Sequence, residues 1–556
     1  MTDNDTIEVA AVPALTDDDL VLRAQGHEPE LPRRFSRLSV LSLAFVITNS
    51  WVGFAATFGT ALLAGGGPGV FWGIIIAFVV CSIITIGLAE LASAYPSAGG
   101  QYHFTFMVSS PKYRAASAFV MGWLSSLAWG LVTVSAGVYV AQLIAGIATF
   151  FDETLVFERW QIYLLFVAIN TLATLIVCVA PQLLPKIEVI SLWSSLLACL
   201  ISTIVIGALS GPKQPARVIF VEDQNVTGWS NGFAFIIGIG TSMYTFVSTD
   251  SATHLAEEVP NPGFNIPRIM WLTPVIGVIS TIPYLLVIMF SATDLEAVAN
   301  SSLPILTLYQ QATGNQAATA ALTIWIMLNY FGATIGCVAT VGRLVWAFAR
   351  DNGIPFSPFF AKVSPTKKTP IRATIACLVF QVLYGLIYIG STTAFNSIIS
   401  LSILALNVTY VIPQGIVLLR GRSKVLPARS FRLGHRIGNF VNGFSFLWVA
   451  FYSVIFCFPI FIPPTTGDMN YLSPVAVGII LLILIAWYGG KRKTFTGPVS
   501  NLIIGIFQRE GKATADVSFM LAHSGYRASR DSNYHNDKGE IVVEVNAAVP
   551  LTLFSG

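Results

Sequence analysis

Charged residues are scarce in this chain: they make up 11% of its 556 residues, whereas hydrophobic residues make up 54%. A soluble domain of this size needs more charge on its surface, so the composition excludes an ordinary soluble fold. The chain also lacks His-Glu-x-x-His, Cys-x-x-Cys, Gly-x-Ser-x-Gly and Gly-x-x-x-x-Gly-Lys-Ser/Thr. These absences argue against a metallopeptidase, a serine hydrolase and an ATP-driven pump. The sequence therefore predicts that the chain is not an enzyme and needs no metal or other cofactor.

Long apolar runs are what the chain has instead. Each run of about 20 apolar residues is long enough to cross a hydrocarbon layer of ~30 Å as a helix. Because backbone polar groups find no partners in lipid, helices are the expected spanning element. The sequence therefore predicts an all-α integral membrane protein of a lipid bilayer, with twelve spans and no nucleic acid partner. The predicted spans are 38–63, 69–92, 115–149, 160–180, 186–210, 232–256, 268–292, 317–347, 371–391, 394–419, 440–462 and 473–490.

Lysine and arginine are unevenly distributed among the predicted loops. With the N-terminus in the cytoplasm, 22 of these residues lie on the inner side and three, Arg159, Lys213 and Arg217, lie on the outer side. Loops rich in positive charge face the cytoplasm. We therefore expect residues 1–37 and 491–556 to be cytoplasmic tails, and both are polar enough to be disordered. The plasma membrane is the expected location.

Two predicted spans contain residues typical of an interrupted helix. The first carries Thr48-Asn-Ser-Trp-Val-Gly53, and the sixth carries Gly238-Ile-Gly240 followed by Ser248-Thr-Asp-Ser251. Helices that unwind at mid-membrane expose backbone groups, which bind substrates in transporters. The alternative is that these small residues let membrane helices pack closely. The candidate binding residues are Asn49, Ser50, Trp51, Val52, Gly53, Tyr244, Ser248, Thr249, Asp250 and Ser251.

An acidic residue, Asp250, stands within the sixth predicted span. An intramembrane carboxylate is costly and usually faces a cavity, a partner or a substrate, although near the end of a span it can reach water. Its negative charge favours a cationic ligand, and aromatic faces attract cations, although each aromatic residue has core packing as its alternative role. The single glycine in the first break leaves little open backbone for a carboxylate, which favours an amine ligand. The aromatic residues placed to form a cage around it are Trp51, Tyr244, Trp129 and Tyr330.

Charged residues near the ends of spans suggest a gate and a coupling path. Glu90, near the inner end of the second span, is expected to pair with Arg343 or Arg350, or else to be a solvated anchor. His254 lies one helical turn after Asp250 on the same face. Its alternative roles are to relay a proton, to change the proton affinity of Asp250, or to pack in the core. Uphill transport without an ATPase needs an ion gradient. We expect protons as the coupling ion, with facilitated exchange as the alternative.

Three stretches near span ends resemble the amino acid–polyamine–organocation superfamily of permeases, over about residues 35–495. They are Glu90-Leu-Ala-Ser-Ala-Tyr-Pro-Ser-Ala-Gly-Gly-Gln-Tyr102, Glu257-Glu-Val-Pro-Asn-Pro262 and Arg343-Leu-Val-Trp-Ala-Phe-Ala-Arg-Asp-Asn-Gly-Ile-Pro355. Within the superfamily, the chain is most similar to the fungal amino acid/choline transporters. The stretches that carry this closer similarity are Thr48-Asn-Ser-Trp51, Asp250-Ser-Ala-Thr-His254 and Asp468-Met-Asn-Tyr471.

The resemblance implies a fold and a function. The fold has two inverted repeats of five helices, over 38–210 and 232–419, with extra helices over 440–490 and with spans one and six unwound. The implied function is alternating-access import of choline or a related quaternary amine. A γ-aminobutyrate, amino acid or polyamine permease is the alternative substrate class, and a nutrient sensor built on a transporter fold is the alternative of another class.

Two positions depart from patterns found in these relatives. Relatives usually have glycine where this chain has Ser248, so a different local backbone is expected there. Some relatives use a lysine in the fifth span in place of a sodium ion. Here that span has Lys186 at its entry, and the polar residues further in are Ser191, Ser194 and Ser195.

Overall fold

The computed structural model describes residues 16–25, 27–465, 469–495 and 497–498. The predicted tails therefore fall partly outside the described residues, at 1–15 and 499–556, as does Asp468 of the choline-type stretch. Every regular element among the described residues is a helix. The α-helices are α1 Asp17–Ala24, α2 Arg37–Thr48, α3 Ser50–Ala94, α4 Gln101–Val108, α5 Arg114–Phe151, α6 Arg159–Val179, α7 Leu184–Leu209, α8 Ala216–Phe220, α9 Asn231–Ser242, α10 Pro262–Ser291, α11 Leu295–Ala299, α12 Pro304–Thr313, α13 Gln316–Arg350, α14 Ser357–Phe360, α15 Ile371–Gly390, α16 Thr392–Arg420, α17 Arg422–Val425, α18 His435–Ile455, α19 Leu472–Ala486 and α20 Arg492–Thr494.

Eleven helical segments in the described part of the chain are long and apolar enough to cross a membrane. The first of them, Arg37–Ala94, has 58 residues, far more than the roughly 20 that one crossing needs. Its backbone leaves the helical region at Gly65 and Gly66. A Cβ built on Gly69 would lie 2.9 Å from the Ala61 carbonyl oxygen, whereas eight residues along a straight helix cover about 12 Å. The chain therefore turns back within this segment, which contains the predicted spans 38–63 and 69–92.

The elements that surround the centre of the bundle come from distant parts of the chain. Helix α3 packs against α9 and α10, and α5 packs against α13 and α16. Helix α2 packs against α7, α10 and α13. The segment after α9 packs against α2, α3, α10 and α13, so the two interrupted segments predicted from the sequence lie next to each other.

The N-terminal segment differs from its prediction as a disordered tail. Residues 17–24 form α1, which begins with a capping box at Thr16. Asp18 accepts a hydrogen bond from the backbone N–H of Asn261 at 2.8 Å, and Arg33 donates to Asp19 at 2.6 Å. The Phe35 side chain is 2% exposed. The charged residues of this N-terminal segment are paired within the protein, and Phe35 is buried against it. This part of the predicted tail is therefore ordered.

A group of titratable residues lies where this segment meets the bundle. The His27 ring nitrogen is 3.8 Å from the Asp351 carboxyl, and the Tyr102 hydroxyl donates to the same carboxyl at 2.9 Å. Burial raises the pKa of Asp351 to about 7, against the opposing charge of Arg350. Burial, with the positive charge of Arg350 and the neighbouring His103 ring, holds the pKa of His27 well below its usual range. Near neutral pH this contact is therefore largely between an uncharged imidazole and a carboxyl in titration.

Candidate functional site

The first interruption is a single residue between α2 and α3. Asn49 adopts φ 30° and ψ 62°, in the left-handed region that asparagine tolerates better than most residues. The Asn49 side-chain oxygen accepts a hydrogen bond from the Ser195 hydroxyl at 2.8 Å. The N–H groups of Val52 and Gly53 donate to the Asn49 carbonyl at 2.9 and 2.8 Å. The helix thus resumes at Ser50, so the break is shorter than the predicted stretch from Asn49 to Gly53.

The second interruption is longer and follows α9. A 3₁₀ turn over Met243–Phe246 leads to extended backbone at Val247. Ser248 then has φ 69°, a conformation that serine rarely adopts. A second 3₁₀ segment, Ser251–Glu258, completes the span. Backbone of this kind is tolerated at membrane depth where protein buries it or where it lines a cavity.

A small cavity of about 30 Å³ lies between the two interruptions. A water molecule needs about 10–15 Å³ by this measure, so the cavity has room for about two water molecules. Its walls come from both interruptions and from α5 and α13: Ile47, Thr48, Asn49, Val52, Gly53, Val132, Ala136, Tyr244, Val247, Ser248, Tyr330, Ala333 and Cys337.

Six of the predicted binding residues line this cavity and six do not. Those that line it are Asn49, Val52, Gly53, Tyr244, Ser248 and Tyr330. Those outside its walls are Ser50, Trp51, Trp129, Thr249, Asp250 and Ser251. Of the four residues predicted to form an aromatic cage, Tyr244 and Tyr330 therefore line the cavity, and the cage itself stays a prediction.

Helical phase explains why the residues next to the first break point elsewhere. The Trp51 indole N–H donates to the Ser195 hydroxyl on α7 at 2.9 Å. A Cβ built on Gly277 of α10 would lie 2.2 Å from the Ser50 hydroxyl oxygen, so Ser50 packs against that helix. Because each residue turns a helix by about 100°, Ser50 and Trp51 face α10 and α7, while Val52 and Gly53 face the cavity. In the second break, the Thr249 hydroxyl lies 2.8 Å from that of Thr85.

The Asp250 carboxyl is fully buried and held by four side chains. One oxygen is 2.5 Å from the Gln101 amide nitrogen, 3.0 Å from the Trp129 indole nitrogen and 3.0 Å from His254 Nε2. The Tyr410 hydroxyl donates to the other oxygen. In this structure the Asp250 carboxyl therefore meets side chains of the protein and does not line the cavity, and its role in ligand binding stays a prediction.

The same contacts define the protonation of the pair. His254 Nδ1 is 2.9 Å from the Ala98 carbonyl oxygen, which can only accept, so Nδ1 carries a hydrogen. The contact between Nε2 and the carboxyl then needs one more proton shared between His254 and Asp250. Asp250 is thereby compensated locally, and the cavity does not receive an uncompensated negative charge from it.

Buried ion pairs join the elements at the end of the bundle where the N-terminal segment packs. Arg343 Nε is 2.9 Å from a Glu258 oxygen, and Arg350 makes a bidentate pair with Glu257 at 2.8 and 2.9 Å. These two pairs correct the prediction that Glu90 pairs with Arg343 or Arg350, because each arginine already has its own glutamate.

Glu90 instead joins α3 to the chain that follows α16. It pairs with Arg422 and, at 2.6 Å, with Arg429. The Leu433 backbone N–H donates to the same carboxyl at 3.1 Å. No local sequence signal indicates this pairing, since both arginines lie more than 300 positions further along the chain.

Sequence reasoning missed several residues that the structure places around the site. Gln101 and Tyr410 bind Asp250. Ser195, already named in the fifth predicted span, joins α7 to the first break. Glu188, on α7, is fully buried and its carboxyl oxygens have no hydrogen-bond partner among the described residues. The sequence signal that could have indicated Glu188 is a single acidic residue between the apolar residues Ile187 and Val189.

A multi-helix bundle with two interrupted spans around a central cavity defines a multi-pass integral membrane protein of the transporter class. A family model described as "Amino acid permease" matches residues 38–485, and the chain belongs to this family, within the amino acid–polyamine–organocation superfamily. Its members are transporters rather than enzymes.

Individual relatives cover most of the chain. It is 34% identical to the choline transporter of Saccharomyces cerevisiae, over 84% of each protein. It is 30% identical to the swainsonine transporter swnT of Arthroderma benhamiae, over 85% of this chain and 93% of that protein. It is 26% identical to the amino-acid permease BAT1 of Arabidopsis thaliana, over 88% and 98%. The resemblance predicted from the sequence is thereby confirmed.

Proposed function

We propose that this permease imports choline or a related small quaternary amine across the plasma membrane, driven by protons. The architecture we propose for it has twelve spans, with two inverted five-helix repeats, two extra helices and both termini in the cytoplasm. The turn at Gly65 and Gly66 supports the count of twelve, because it divides the first helical segment into two crossings.

The observation that carries the proposed substrate is the wall of the central cavity. Two tyrosine rings, Tyr244 and Tyr330, line it, and none of its lining residues is an aspartate, glutamate, lysine or arginine. Aromatic faces attract a quaternary ammonium group without a full negative charge. Helix α2 ends at the cavity, and the last carbonyl groups of a helix carry partial negative charge. Both features favour a cation.

The first break offers little to a carboxylate. The N–H groups of Val52 and Gly53 are occupied by the Asn49 carbonyl, and the wall has no cationic side chain. An amino acid substrate would need N–H groups or a cation for its carboxylate. The similarity to a choline transporter supports the same choice, whereas the similarity to an amino-acid permease favours the alternative.

Alternating access fits a site that lies between two interrupted spans. The ion pairs of Glu257 and Glu258 with Arg350 and Arg343 join the second broken span to α13 at one end of the bundle. Opening a path from that side requires these pairs to separate or move together. We propose that this is the cytoplasmic gate and that the site enlarges when either gate opens.

Uptake of labelled choline into proteoliposomes containing the purified protein tests the substrate. We expect saturable uptake that unlabelled quaternary amines inhibit more strongly than γ-aminobutyrate, polyamines or neutral amino acids do. Stronger inhibition by γ-aminobutyrate would move the proposal to an amino acid permease. Uptake that persists after removal of residues 499–556 would count against a sensor that signals through that segment.

Substitution of the cavity tyrosines tests the site itself. Tyr244→Leu and Tyr330→Leu should each raise the choline concentration for half-maximal uptake by about 2–30-fold, which corresponds to ~0.5–2 kcal/mol of cation–aromatic attraction. Tyr113→Leu is the matched control, because Tyr113 is 59% exposed and outside the cavity. Equal effects in all three variants would contradict the proposed site.

A further inference from the structure

Glu188 is an unusual residue for the interior of a membrane protein. It lies in α7 and is fully buried. Neither carboxyl oxygen has a hydrogen-bond partner, and among the described residues no other buried aspartate or glutamate has both oxygens unpartnered. A buried carboxylate normally has several donors, because the protein must replace the water that it loses.

The Glu188 carboxyl lies directly behind the wall of the central cavity. A Cβ built on Gly336 of α13 would lie 3.3 Å from a Glu188 oxygen and 2.8 Å from the Ile47 side chain. Ile47 and Cys337 both line the cavity, and Cys337 is close enough to interact electrostatically with Glu188. The absence of a side chain at Gly336 therefore brings the carboxyl, the end of α2 and the cavity wall together.

Among the residues that the structure describes, no positive charge is paired with this carboxyl. Helices α2, α10, α12 and α13 pack against α7. Their titratable or charged groups are Arg37 on α2, Arg268 and Tyr284 on α10, Tyr309 on α12, and Tyr330, Cys337, Arg343 and Arg350 on α13. Arg343 and Arg350 are paired with Glu258 and Glu257. On α7 itself, Lys186 is exposed. With no charge partner and no donor, the carboxyl is held in its neutral, proton-bearing form in this conformation.

The same face of α7 holds the first interruption. Ser195 lies seven residues, about two helical turns, after Glu188, so both face in nearly the same direction. Ser195 donates to the Asn49 side chain and accepts from Trp51. Ser191 lies between Glu188 and Ser195 on α7, and a Cβ built on Gly332 of α13 would lie 2.9 Å from its hydroxyl oxygen. A displacement of α7 against α2 and α13 therefore acts directly on the break that lines the cavity.

We propose that Glu188 is the proton-binding site of the transport cycle, an inference that rests on the proton-driven import proposed above. A proton from the outer solution forms an O–H bond with a Glu188 oxygen, which allows the carboxyl to be buried as it is in this structure. When the site opens inward, water reaches the carboxyl, the O–H bond breaks and the proton leaves to the inner solution. The empty carrier returns with Glu188 ionised and then takes up a new proton from the outer solution, so each cycle carries one proton inward with one substrate.

Gradient-driven accumulation tests this role. In proteoliposomes with the membrane potential clamped at zero, a pH difference of one unit supports up to about tenfold accumulation of labelled choline at one proton per substrate. We expect Glu188→Gln to lower the accumulation ratio to about one and to make choline exchange independent of pH. Glu153→Gln, at an exposed loop glutamate, is the matched control and should accumulate choline like the wild type. Accumulation by Glu188→Gln equal to that of the wild type would overturn the proposal.

A second measurement needs no substrate. In infrared difference spectra of the purified protein between mildly acidic and alkaline pH, the wild type should show the carbonyl band of a protonated carboxylic acid, and Glu188→Gln should lack that component. Identical bands in the two proteins would overturn the assignment. If the wild type moves no choline, the proposed substrate is wrong, and this spectrum still decides the role of Glu188. If Glu188→Gln does not fold, Glu188→Asp replaces it: pH-driven accumulation by this variant supports the proposal, and its loss in folded protein contradicts it.

Discussion

Asp250 and Glu188 are two carboxyl groups with the same burial and opposite surroundings. Both are fully buried within segments of the membrane bundle. Asp250 has hydrogen-bonding contacts with four side chains, whereas Glu188 has none among the described residues. Desolvation acts on both, but only Asp250 has partners that replace the lost water.

This difference separates a structural charge from a titrating one. The partners of Asp250 lie on α4, α5 and α16, so its carboxyl ties the second broken span to three other helices. Glu188 holds no neighbouring side chain by a hydrogen bond among the described residues. It can therefore gain or lose a proton without breaking such a bond. An acid within a span is therefore not sufficient to identify a ligand site, because its function depends on which donors surround it.

The largest expected effect is the loss of stability in Asp250→Asn. The amide would turn an N–H donor toward other donors and remove the charge that His254 shares, so we expect the free energy of unfolding to fall by about 3–5 kcal/mol. Unfolding of the purified protein in mild detergent measures this change. Asp223→Asn, at an exposed aspartate, is the control and should leave stability unchanged. Full stability combined with lost choline binding would support Asp250 as a ligand residue.

A third buried carboxyl, Asp351, sharpens the comparison through pH. Its pKa is raised from 3.8 to about 7, first by burial. The folded state therefore holds the proton more tightly than the unfolded state, and this contribution to stability is present below about pH 4 and is lost as pH rises to about 7. Asp351→Asn should remove that dependence, on the order of 2–3 kcal/mol between pH 5 and pH 7. Unfolding measured across this range should show parallel curves if Asp351 does not titrate there.

Local sequence predicted the two interruptions because their causes are local. Asparagine tolerates the left-handed backbone found at Asn49, and small polar residues accompany the turn at Ser248. The length of each break could not be predicted from the sequence in the same way. The first is one residue long because α3 resumes at Ser50 with a normal hydrogen bond from Gly53 to Asn49, which a list of polar residues does not reveal.

The partners of charged and aromatic residues were harder to predict because they depend on tertiary packing. Glu90 lies at a span end as expected, but its arginines come from the segment after α16. Trp51 was placed in the right segment, yet the helical phase set by the break turns it toward Ser195. Glu188 was not predicted as a site residue, because a single acid near the start of a span can also reach water. Its lack of partners is visible only once the neighbouring helices are in place.

A smaller effect is expected when one donor to Asp250 is removed. Trp129→Phe keeps most of the buried ring and deletes the indole N–H that donates to the carboxyl at 3.0 Å. A hydrogen bond to a charged group contributes about 1.5–3 kcal/mol, and we expect a loss near the lower limit because other donors remain. Trp325→Phe is the matched control, since Trp325 donates to the neutral Ser194 hydroxyl at 3.0 Å and should lose about 0.5–1.5 kcal/mol. A larger loss in the control would show that packing, rather than charge, dominates.

The smallest effect on stability should come from Glu188→Gln, although its expected effect on coupling is the largest. The substitution deletes no hydrogen bond and exchanges one neutral polar group for another of similar size, so the free energy of unfolding should change by less than about 1 kcal/mol. Unfolding of this variant beside Asp250→Asn measures the contrast directly. A loss similar to that of Asp250→Asn would mean that Glu188 is charged and held by partners, and the distinction between the two carboxyl groups would fail. A small loss combined with absent proton-driven accumulation would place proton binding and structural support on separate residues of the same bundle.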